Sequence, residues 1–253
     1  LGDVYKRQYL YKETTMLNTL KLKMFICKML TCWISPPGKR KLVREFLFWF
    51  SLKDYHRFKR SNYHIVSLGS SCLTRALLVT SGVKPRRFYG EKSCPFDLCR
   101  SNDFKRIVEL IESNFSDFFE NINLDAFPHD DKLTVKQFKK RYQKRIQYFL
   151  NIHNSDKVVY YVYLNFEKVP ETDEIKGLYQ VLKAKRGAKP FELILLTSRL
   201  IDVPKIVQIP YDIQIDDGKA IEYIINRYKD YNNKYTVFGD YMEEKLKEII
   251  YHP

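Results

Sequence analysis

The sequence predicts an α/β protein in which a mainly parallel sheet is covered by helices, a three-layer, Rossmann-like arrangement. Short apolar segments rich in Val, Ile, Leu and Tyr alternate with longer segments whose apolar residues recur at helical spacing. Such alternation is typical of parallel strands that are buried between helices. The chain has 253 residues, 45% of them hydrophobic and 29% charged, so it can bury a sizeable core.

Three parts are expected along the chain. Residues 1–15 begin with Leu and show no periodicity, so we interpret them as a non-native or disordered lead, with Met16 as the expected start. Residues 16–60 form a predicted basic, aromatic and helical extension. Lys21, Lys23 and Lys28 interrupt its first apolar segment, which is therefore a poor transmembrane span and a poor signal peptide. Residues 61–253 are the predicted α/β domain.

Residues 39–60 combine basic and aromatic side chains. Eight Lys and Arg residues face only two acidic ones, and the aromatic run Phe46-Leu47-Phe48-Trp49-Phe50 lies among them. A basic, aromatic helix of this kind is suited to an anionic membrane surface. The alternative is a docking helix whose aromatic rings cover the main domain.

The net charge indicates the class of partner, and the cysteine content indicates the cellular compartment. A net charge of +14 and a pI near 9.4 favour anionic partners such as membrane surfaces, nucleic acid or acidic glycans, and the charge does not choose among them. Of the three, we do not expect nucleic acid to be the partner. Five cysteines without regular spacing argue against a disulfide framework, so we expect a reducing cytoplasm. A peripheral position at the inner face of the membrane is the alternative that the basic segment leaves open. No second Cys or His pair accompanies Cys94 and Cys99, and no phosphate-binding glycine motif is present, so we expect no metal and no cofactor.

Within the α/β domain, the patterns predict each element in turn. A buried strand breaks at Gly69 and opens a helix over 72–79, and Thr134 with Gln137 forms a capping box for a later helix. The other predicted helices cover 102–115, 134–151, 172–185, 219–231 and 241–251. The other predicted strands cover 158–164, 191–196, 206–209, 213–215 and 235–238. A long loop is predicted over 116–133.

The carboxyl ends of the strands are where ligands bind in such sheets. This edge holds residues 69–72, Asn165, Glu167, Thr197, Ser198, Arg199, Asp216, Asp217, Gly239 and Asp240. Cys72 lies there at a helix N-terminus, where a thiol ionises more easily, and the thiolate is the nucleophilic form. We therefore interpret Cys72 as a reactive thiol. The alternative is that Ser70, Ser71 and Cys72 only cap the helix and pack.

A cysteine nucleophile needs a base, which is usually a histidine. His129 is the best candidate because it lies in a long loop beside two acids. The other histidines are less suitable: His56 is in the basic segment, His64 is at the wrong end of its strand, His153 follows a helix and is expected to be exposed, and His252 is terminal. Asp130, Asp97 and Asp217 are candidates to orient the imidazole. Alternatively, the segment is a plain loop before a capped helix.

Three motifs carry a family resemblance. Ser67-Leu68-Gly69-Ser70-Ser71-Cys72, Cys94-Pro95-Phe96-Asp97 and Phe127-Pro128-His129-Asp130 precede a basic helix and a strand. In this order they resemble a bacterial domain of unknown function described as a papain-like cysteine peptidase, over about residues 63–200. The resemblance implies that Cys72 is the nucleophile and His129 the base, supported by Asp130 or Asp97. Leu98 stands where that family usually has tryptophan.

The first functional hypothesis is therefore a cysteine-dependent hydrolase or acyl-transferring enzyme. Its substrate is an unidentified peptide or glycan-linked compound, and Ser70, Ser71, Asp97 and Arg199 are the predicted substrate-binding residues. Members of the similar family are associated with surface-polysaccharide assembly. A second hypothesis is accordingly a non-catalytic binding module of such a pathway, which binds an anionic sugar through Arg199, and a sugar-transferring enzyme is a third.

Overall fold

The structure, a computed structural model, describes residues 22–23, 25–35, 39–40, 43–44, 46–47, 50–69, 72–99, 103–120, 124–127, 129–130, 132–164, 169–210 and 237–251. The described residues up to Arg60 belong to one compact unit, and those from Ser61 onward belong to a second. The predicted lead over 1–15, the strand over 213–215 and the helix over 219–231 lie outside the described residues. The assignment of lead, extension and domain stays a prediction.

A four-stranded, fully parallel sheet forms the centre of the second unit. The strands are β1 (Tyr63–Ser67), β2 (Val158–Leu164), β3 (Phe191–Thr197) and β4 (Val207–Pro210). Their order in the sheet is the same as their order in the chain. Every strand therefore ends at the same edge of the sheet, and the chain must cross back over the sheet before each new strand.

Six helices are bounded within the described residues. They are α1 (Leu52–Arg60), α2 (Cys72–Thr80), α3 (Phe104–Glu112), α4 (Val135–His153), α5 (Thr172–Arg186) and α6 (Val237–Tyr251). Short 3-10 turns occur at Arg87–Tyr89, Pro95–Leu98 and Leu124–Ala126. Helix α1 belongs to the first unit and the other five helices belong to the second. No helix in the described part of the chain is both long and apolar enough to cross a membrane.

The sheet separates two hydrophobic cores, because successive side chains of a strand point to opposite faces. On one face, Val66, Tyr161 and Leu193 pack in one core with apolar residues of α3, α4 and α5. On the other face, Val162 and Ile194 share a core with apolar residues of α2 and α6. The predicted three-layer α/β class is therefore confirmed. The central strands β2 and β3 are buried on both faces, which explains their nearly unbroken apolar sequences.

Helix α4 follows its predicted pattern closely. Thr134 is its N-cap: the Thr134 hydroxyl accepts from the Gln137 N–H at 3.3 Å, and the Gln137 side chain accepts from the Thr134 N–H at 3.0 Å. This confirms the capping box. The predicted core face is also confirmed, since all four of its members are buried: Phe138, Tyr142, Ile146 and Phe149.

The start of the last helix differs from the prediction. Val237 and Phe238 are helical, so the predicted strand over 235–238 is wrong at these two positions, and residues 235 and 236 lie outside the described part. Val and Phe favour strands locally, but Met242, Leu246 and Ile250 of the same helix pack on the sheet. Tertiary packing here outweighs local propensity.

His153 was expected to be exposed, and this expectation is wrong. His153 is the last residue of α4 and is 4% exposed. Its Nδ1 lies 2.5 Å from the Tyr161 hydroxyl, and its ring stacks on Phe149. Burial first, and then the nearby Arg186 guanidinium, lower the pKa of His153 from 6.5 to about 4. His153 is therefore a neutral core residue at physiological pH.

Protonation of His153 should destabilise the protein. Because its pKa is about 4 in the folded state and 6.5 ordinarily, the unfolded chain binds the proton more readily between these values. We expect the free energy of unfolding to be highest above pH 6.5 and to fall by roughly 1–3 kcal/mol toward pH 4 through this residue. His64, whose pKa burial and nearby Lys157 also lower to about 4, should act in the same direction.

Urea unfolding at a series of pH values measures this effect. His153→Gln should make the dependence between pH 6.5 and 4 shallower, with the contribution of His64 remaining, even if it lowers stability overall. His56→Gln, at an exposed position of α1, should keep the parental dependence. The same pH dependence in His153→Gln and the parent would contradict the assignment.

Candidate active site

Only four residues separate the end of β1 from Cys72, so Cys72 lies at the carboxyl edge of the sheet. The Leu68 N–H donates to the Val162 carbonyl at 2.8 Å, one residue beyond the end of β1. A Cβ atom at Gly69 would lie 1.6 Å from the Thr74 hydroxyl oxygen and 2.6 Å from the Leu164 carbonyl oxygen. Only glycine allows α2 and the end of β2 to approach so closely. Cys72 is then the first residue of α2, as predicted.

The structure brings Cys72 and His129 together, although 57 residues separate them in the chain. The Nε2 atom of His129 lies 3.3 Å from the Cys72 sulfur. Cys72 is half-buried and His129 is exposed. Within the described part of the chain, Cys72 is the hydrogen-bonding partner that the His129 ring reaches. A thiol at a helix N-terminus and an imidazole within hydrogen-bond distance are the two groups that cysteine nucleophiles use.

Asp130 supports the loop that carries His129. The Asp130 side chain is 1% exposed, and its carboxylate accepts from the Arg141 guanidinium, from Arg145 at 2.9 Å and from the Tyr142 hydroxyl at 3.1 Å. Burial first raises the pKa of Tyr142 well above its ordinary value, so its hydroxyl stays protonated and donates. The Asp130 carboxylate therefore binds to α4, and these contacts anchor the loop that carries His129 beside the Cys72 sulfur.

Asp97 lies beneath the site and is 0% exposed. It accepts hydrogen bonds from the Ser67 hydroxyl and from the Cys94 N–H, the latter at 2.7 Å. The Arg75 guanidinium is 3.3 Å away and the Lys84 ammonium 3.5 Å away. This placement does not favour the predicted contact between Asp97 and a substrate, because a substrate would have to open a buried ionic cluster.

The cluster beneath the site contains two cations and two carboxylates. Glu91 completes it, at 3.0 Å from Arg75 and 3.2 Å from Lys84. Burial alone would raise the pKa of Asp97, but Lys84, Arg75 and the two hydrogen bonds outweigh it and lower the pKa. Conversely, burial would lower the pKa of Lys84, yet Asp97 and Glu91 raise it. Asp97 and Lys84 therefore both carry charge in the folded protein, and each stabilises the charged form of the other.

The other predicted substrate-binding residues are placed only in part. Arg199 follows β3 at the same edge of the sheet as Cys72, and its exposed guanidinium pairs with Glu171 at 3.2 Å. Ser70 and Ser71 lie outside the described residues, as does Asp217. Their predicted roles stay predictions. Among the described residues, no three His, Cys, Asp or Glu side chains group closely enough to hold a metal ion.

The sequence analysis did not identify the basic residues that pair with the two buried aspartates of the site. The charges of α4 were interpreted as a solvated face, which holds for its lysines, whereas Arg141 and Arg145 bind Asp130. A signal was present: the two arginines stand at i and i+4 on the helix that follows the acidic loop. Arg75 and Lys84 had no comparable signal, because Arg75 lies in α2 and Lys84 lies beyond its end, so the two share no helical spacing that would mark them as partners of Asp97.

The fold and site together define a three-layer α/β protein with a cysteine–histidine pair at the carboxyl edge of a parallel sheet. Residues 63–135 match the model of a family of unknown function described as "putative papain-like cysteine peptidase". This match confirms the resemblance over the stretch from the start of β1 to the first residue of α4, which includes Cys72, Asp97 and His129. No curated protein and no solved structure gives a significant match to the chain.

The role of Asp130 as an anchor can be tested by stability. Asp130→Asn leaves Arg145, which is 10% exposed at its side chain, without a carboxylate partner. Such a loss should cost about 2–4 kcal/mol of unfolding free energy in urea denaturation. The matched control is Asp117→Asn, which breaks a surface pair with Arg106 and should cost much less than Asp130→Asn. Equal, small losses in both variants would show that Asp130 does not anchor the loop.

Proposed function

We propose that the protein is a cysteine-dependent hydrolase or acyl-transferring enzyme in which Cys72 is the nucleophile and His129 is the general base. The observation that carries the proposal is the 3.3 Å approach of His129 Nε2 to the Cys72 sulfur at the N-terminus of α2. The family match supports cysteine peptidase chemistry at the level of the family. The assignment of these two residues is our own.

In the first step, His129 accepts the thiol proton at Nε2 and the Cys72 sulfur attacks a carbonyl carbon of the substrate. The carbonyl oxygen becomes an oxyanion in a tetrahedral intermediate. The intermediate collapses when the bond to the leaving group breaks, and His129 returns its proton to the leaving nitrogen or oxygen. The product of this step is a thioester between Cys72 and the acyl part of the substrate.

In the second step, water or another nucleophile resolves the thioester. His129 accepts a proton from the incoming nucleophile, a second tetrahedral intermediate forms, and its collapse returns the proton to the sulfur. With water the reaction is hydrolysis, and with an alcohol or amine it is acyl transfer. The exposed position of His129 supports this step, because the incoming molecule reaches the imidazole directly from solvent.

The oxyanion of both steps needs donors near the sulfur. The first turn of an α-helix directs backbone N–H groups outward, and the positive end of the helix dipole lies there. Cys72 is in that turn of α2. We assign these backbone groups to the oxyanion, a role in which preorganised donors lower the barrier substantially.

Among the described residues no carboxylate hydrogen-bonds to the His129 ring, so the proposal assigns the imidazole no acidic partner. Asp130 is instead a positioning residue, since its carboxylate contacts Arg141, Tyr142 and Arg145. The proposed substrate is a peptide or glycan-linked compound with an amide or ester carbonyl. Arg199 is the proposed contact for an anionic group of that substrate, because it is exposed and follows a strand at the same edge of the sheet.

The reactivity of Cys72 is the first test. Cys32 is the sharpest internal comparison, because it is exposed whereas Cys72 is half-buried. If exposure alone decided the rate, iodoacetamide would modify Cys32 first. We expect Cys72 to react at least about tenfold faster than Cys32 at pH 6, since the helix N-terminus and His129 favour the thiolate.

Peptide mapping by mass spectrometry after brief alkylation measures both rates. Cys27, Cys94 and Cys99 are buried and should remain unmodified in the folded protein. Cys72→Ser should abolish the fast phase and leave Cys32 labelling unchanged. Slower labelling of Cys72 than of Cys32 would refute the nucleophile and favour a Cys72 that only packs at the helix start.

The second test concerns His129. Its removal takes away the proton acceptor and the cationic partner of the thiolate, so His129→Ala should shift the midpoint of the pH–alkylation profile of Cys72 upward by at least one pH unit. The control is His56→Ala, because His56 is exposed and lies in the first unit. His153 is unsuitable as a control because it is buried.

The midpoint of the pH–alkylation profile distinguishes the nucleophile–base pair from a non-catalytic binding module. A shift in His129→Ala alone supports the nucleophile–base pair. If His129→Ala and His56→Ala both keep the parental midpoint, His129 is not the partner of Cys72. The non-catalytic binding module would then be the better account of this edge of the sheet.

A further inference from the structure

An exposed apolar stripe runs along the N-terminal part of the first unit. Residues 22–23 and 25–31 are helical. The large apolar residues in and just after this stretch recur at intervals of one, three or four positions and are 47–79% exposed: Leu22, Phe25, Ile26, Met29, Leu30 and Trp33. This spacing places all six on one side of a helix.

The opposite side of the same helix is the one that packs. Cys27 is 4% exposed and Thr31 is 0% exposed. The Thr31 hydroxyl donates to the Cys27 carbonyl at 2.7 Å and accepts from the Arg44 guanidinium at 3.3 Å. The Arg40 guanidinium donates to the Ile34 carbonyl at 2.8 Å. The Arg44 contact ties this side of the helix to a later segment of the same unit, and the apolar stripe lies on the exposed side.

Exposed apolar side chains are concentrated in this unit. Ten of the twelve large exposed hydrophobic residues among the described part of the chain precede residue 56, and the other two are Val135 and Leu200. The four beyond the stripe are Phe46, Leu47, Leu52 and Tyr55. Isolated exposed apolar residues are normal, whereas a contiguous group marks an interaction surface.

The charge around the stripe indicates the partner. Lys23 and Lys28 flank it on either side of the helix, and residues 22–60 contain ten Lys and Arg against two acidic residues. A second copy of the chain would bring its own lysines against these. An anionic lipid surface offers both a layer for apolar side chains and negative charge for the lysines that flank it.

We infer that residues 22–60 bind the surface of an anionic lipid bilayer, with the apolar stripe inserted among the headgroups. The stripe lies upstream of residues 39–60, where the sequence predicted membrane contact, and it supplies the hydrophobic part of the binding while the basic residues supply the electrostatic part. Binding should therefore depend on anionic lipid and weaken with salt, and apolar insertion should leave part of it salt-resistant.

The experiment uses the full chain and two kinds of vesicle, pure phosphatidylcholine and phosphatidylcholine mixed with phosphatidylserine. We expect co-sedimentation with the mixed vesicles at low salt and a loss of at least about tenfold in partitioning with pure phosphatidylcholine. In a Trp49→Phe background, the emission of Trp33 should shift to shorter wavelength on binding, because the indole enters a less polar layer.

Variants then distinguish binding through the apolar stripe from nonspecific hydrophobic binding by any exposed apolar residue. Phe25→Ser combined with Trp33→Ser should reduce partitioning at least about tenfold without loss of stability, since both side chains are exposed. The matched control is Leu200→Ser, which removes an equally exposed apolar residue from the second unit and should bind like the parent. Lys23→Gln with Lys28→Gln should weaken binding mainly at low salt.

Three results would overturn the inference: no sedimentation with either vesicle, equal loss in Phe25→Ser/Trp33→Ser and in Leu200→Ser, or an unshifted Trp33 emission on vesicles that do bind. Sedimentation velocity without lipid provides a further check. A concentration-dependent dimer that Trp33→Ser abolishes would show that the stripe is covered by a second copy of the chain. None of these measurements depends on catalytic activity.

Discussion

The geometry of the site depends on the hydrogen bonds and ion pairs of the buried Asp97 carboxylate. This carboxylate joins the last residue of β1 through the Ser67 hydroxyl, α2 through Arg75, and the segment before α3 through Lys84 and the Cys94 backbone. Arg75 stands one helical turn after Cys72, so the ion pair fixes the first turn of α2 against the strand. Four buried charges are costly to desolvate, and such a cluster persists only when each charge has a partner.

Two buried aspartates stabilise the two segments that carry Cys72 and His129. Asp97 supports the helix that carries Cys72, and Asp130 supports the loop that carries His129. In the described structure, the carboxylate contacts of both aspartates are to other groups than the sulfur and the imidazole. The short distance between sulfur and imidazole is thus produced by two scaffolds that are each rigid and charged. Asp130 stands next to His129 in the chain, whereas Asp97 meets the helix of Cys72 only in the folded structure, through Arg75.

The parallel sheet makes the meeting of these scaffolds possible. Every strand ends at one edge, so the helix after β1 begins there, and the loop before α4 reaches the same place while α4 packs on one face of the sheet. Gly69 adds the steric condition, because any side chain at this position would collide with Thr74 and with the end of β2. In the proposed assignment the nucleophile precedes the base in the chain, as in papain, whereas the sheet that carries Cys72 is parallel.

Much of the fold was determined by local patterns in the sequence. The apolar runs of β2 and β3, the helical spacing of α4 and the capping residue Thr134 each act within a few positions, so the fold class, the three layers and the start of α2 were predictable. Cys72 and His129 were also found from the sequence as candidates, by their positions at a predicted strand edge and in a long loop. Their proximity was not, because it depends on how distant elements pack.

Tertiary structure alone decided what surrounds these two residues. The burial of His153 against Tyr161, the closure of Asp97 among Arg75, Lys84 and Glu91, and the capture of Asp130 by α4 are contacts between segments far apart in the chain or on opposite sides of a turn. A charged or titratable side chain looks the same in a sequence whether it is solvated or paired. Its environment is set by packing, and packing determines whether an aspartate contacts substrate, orients a base or holds the fold.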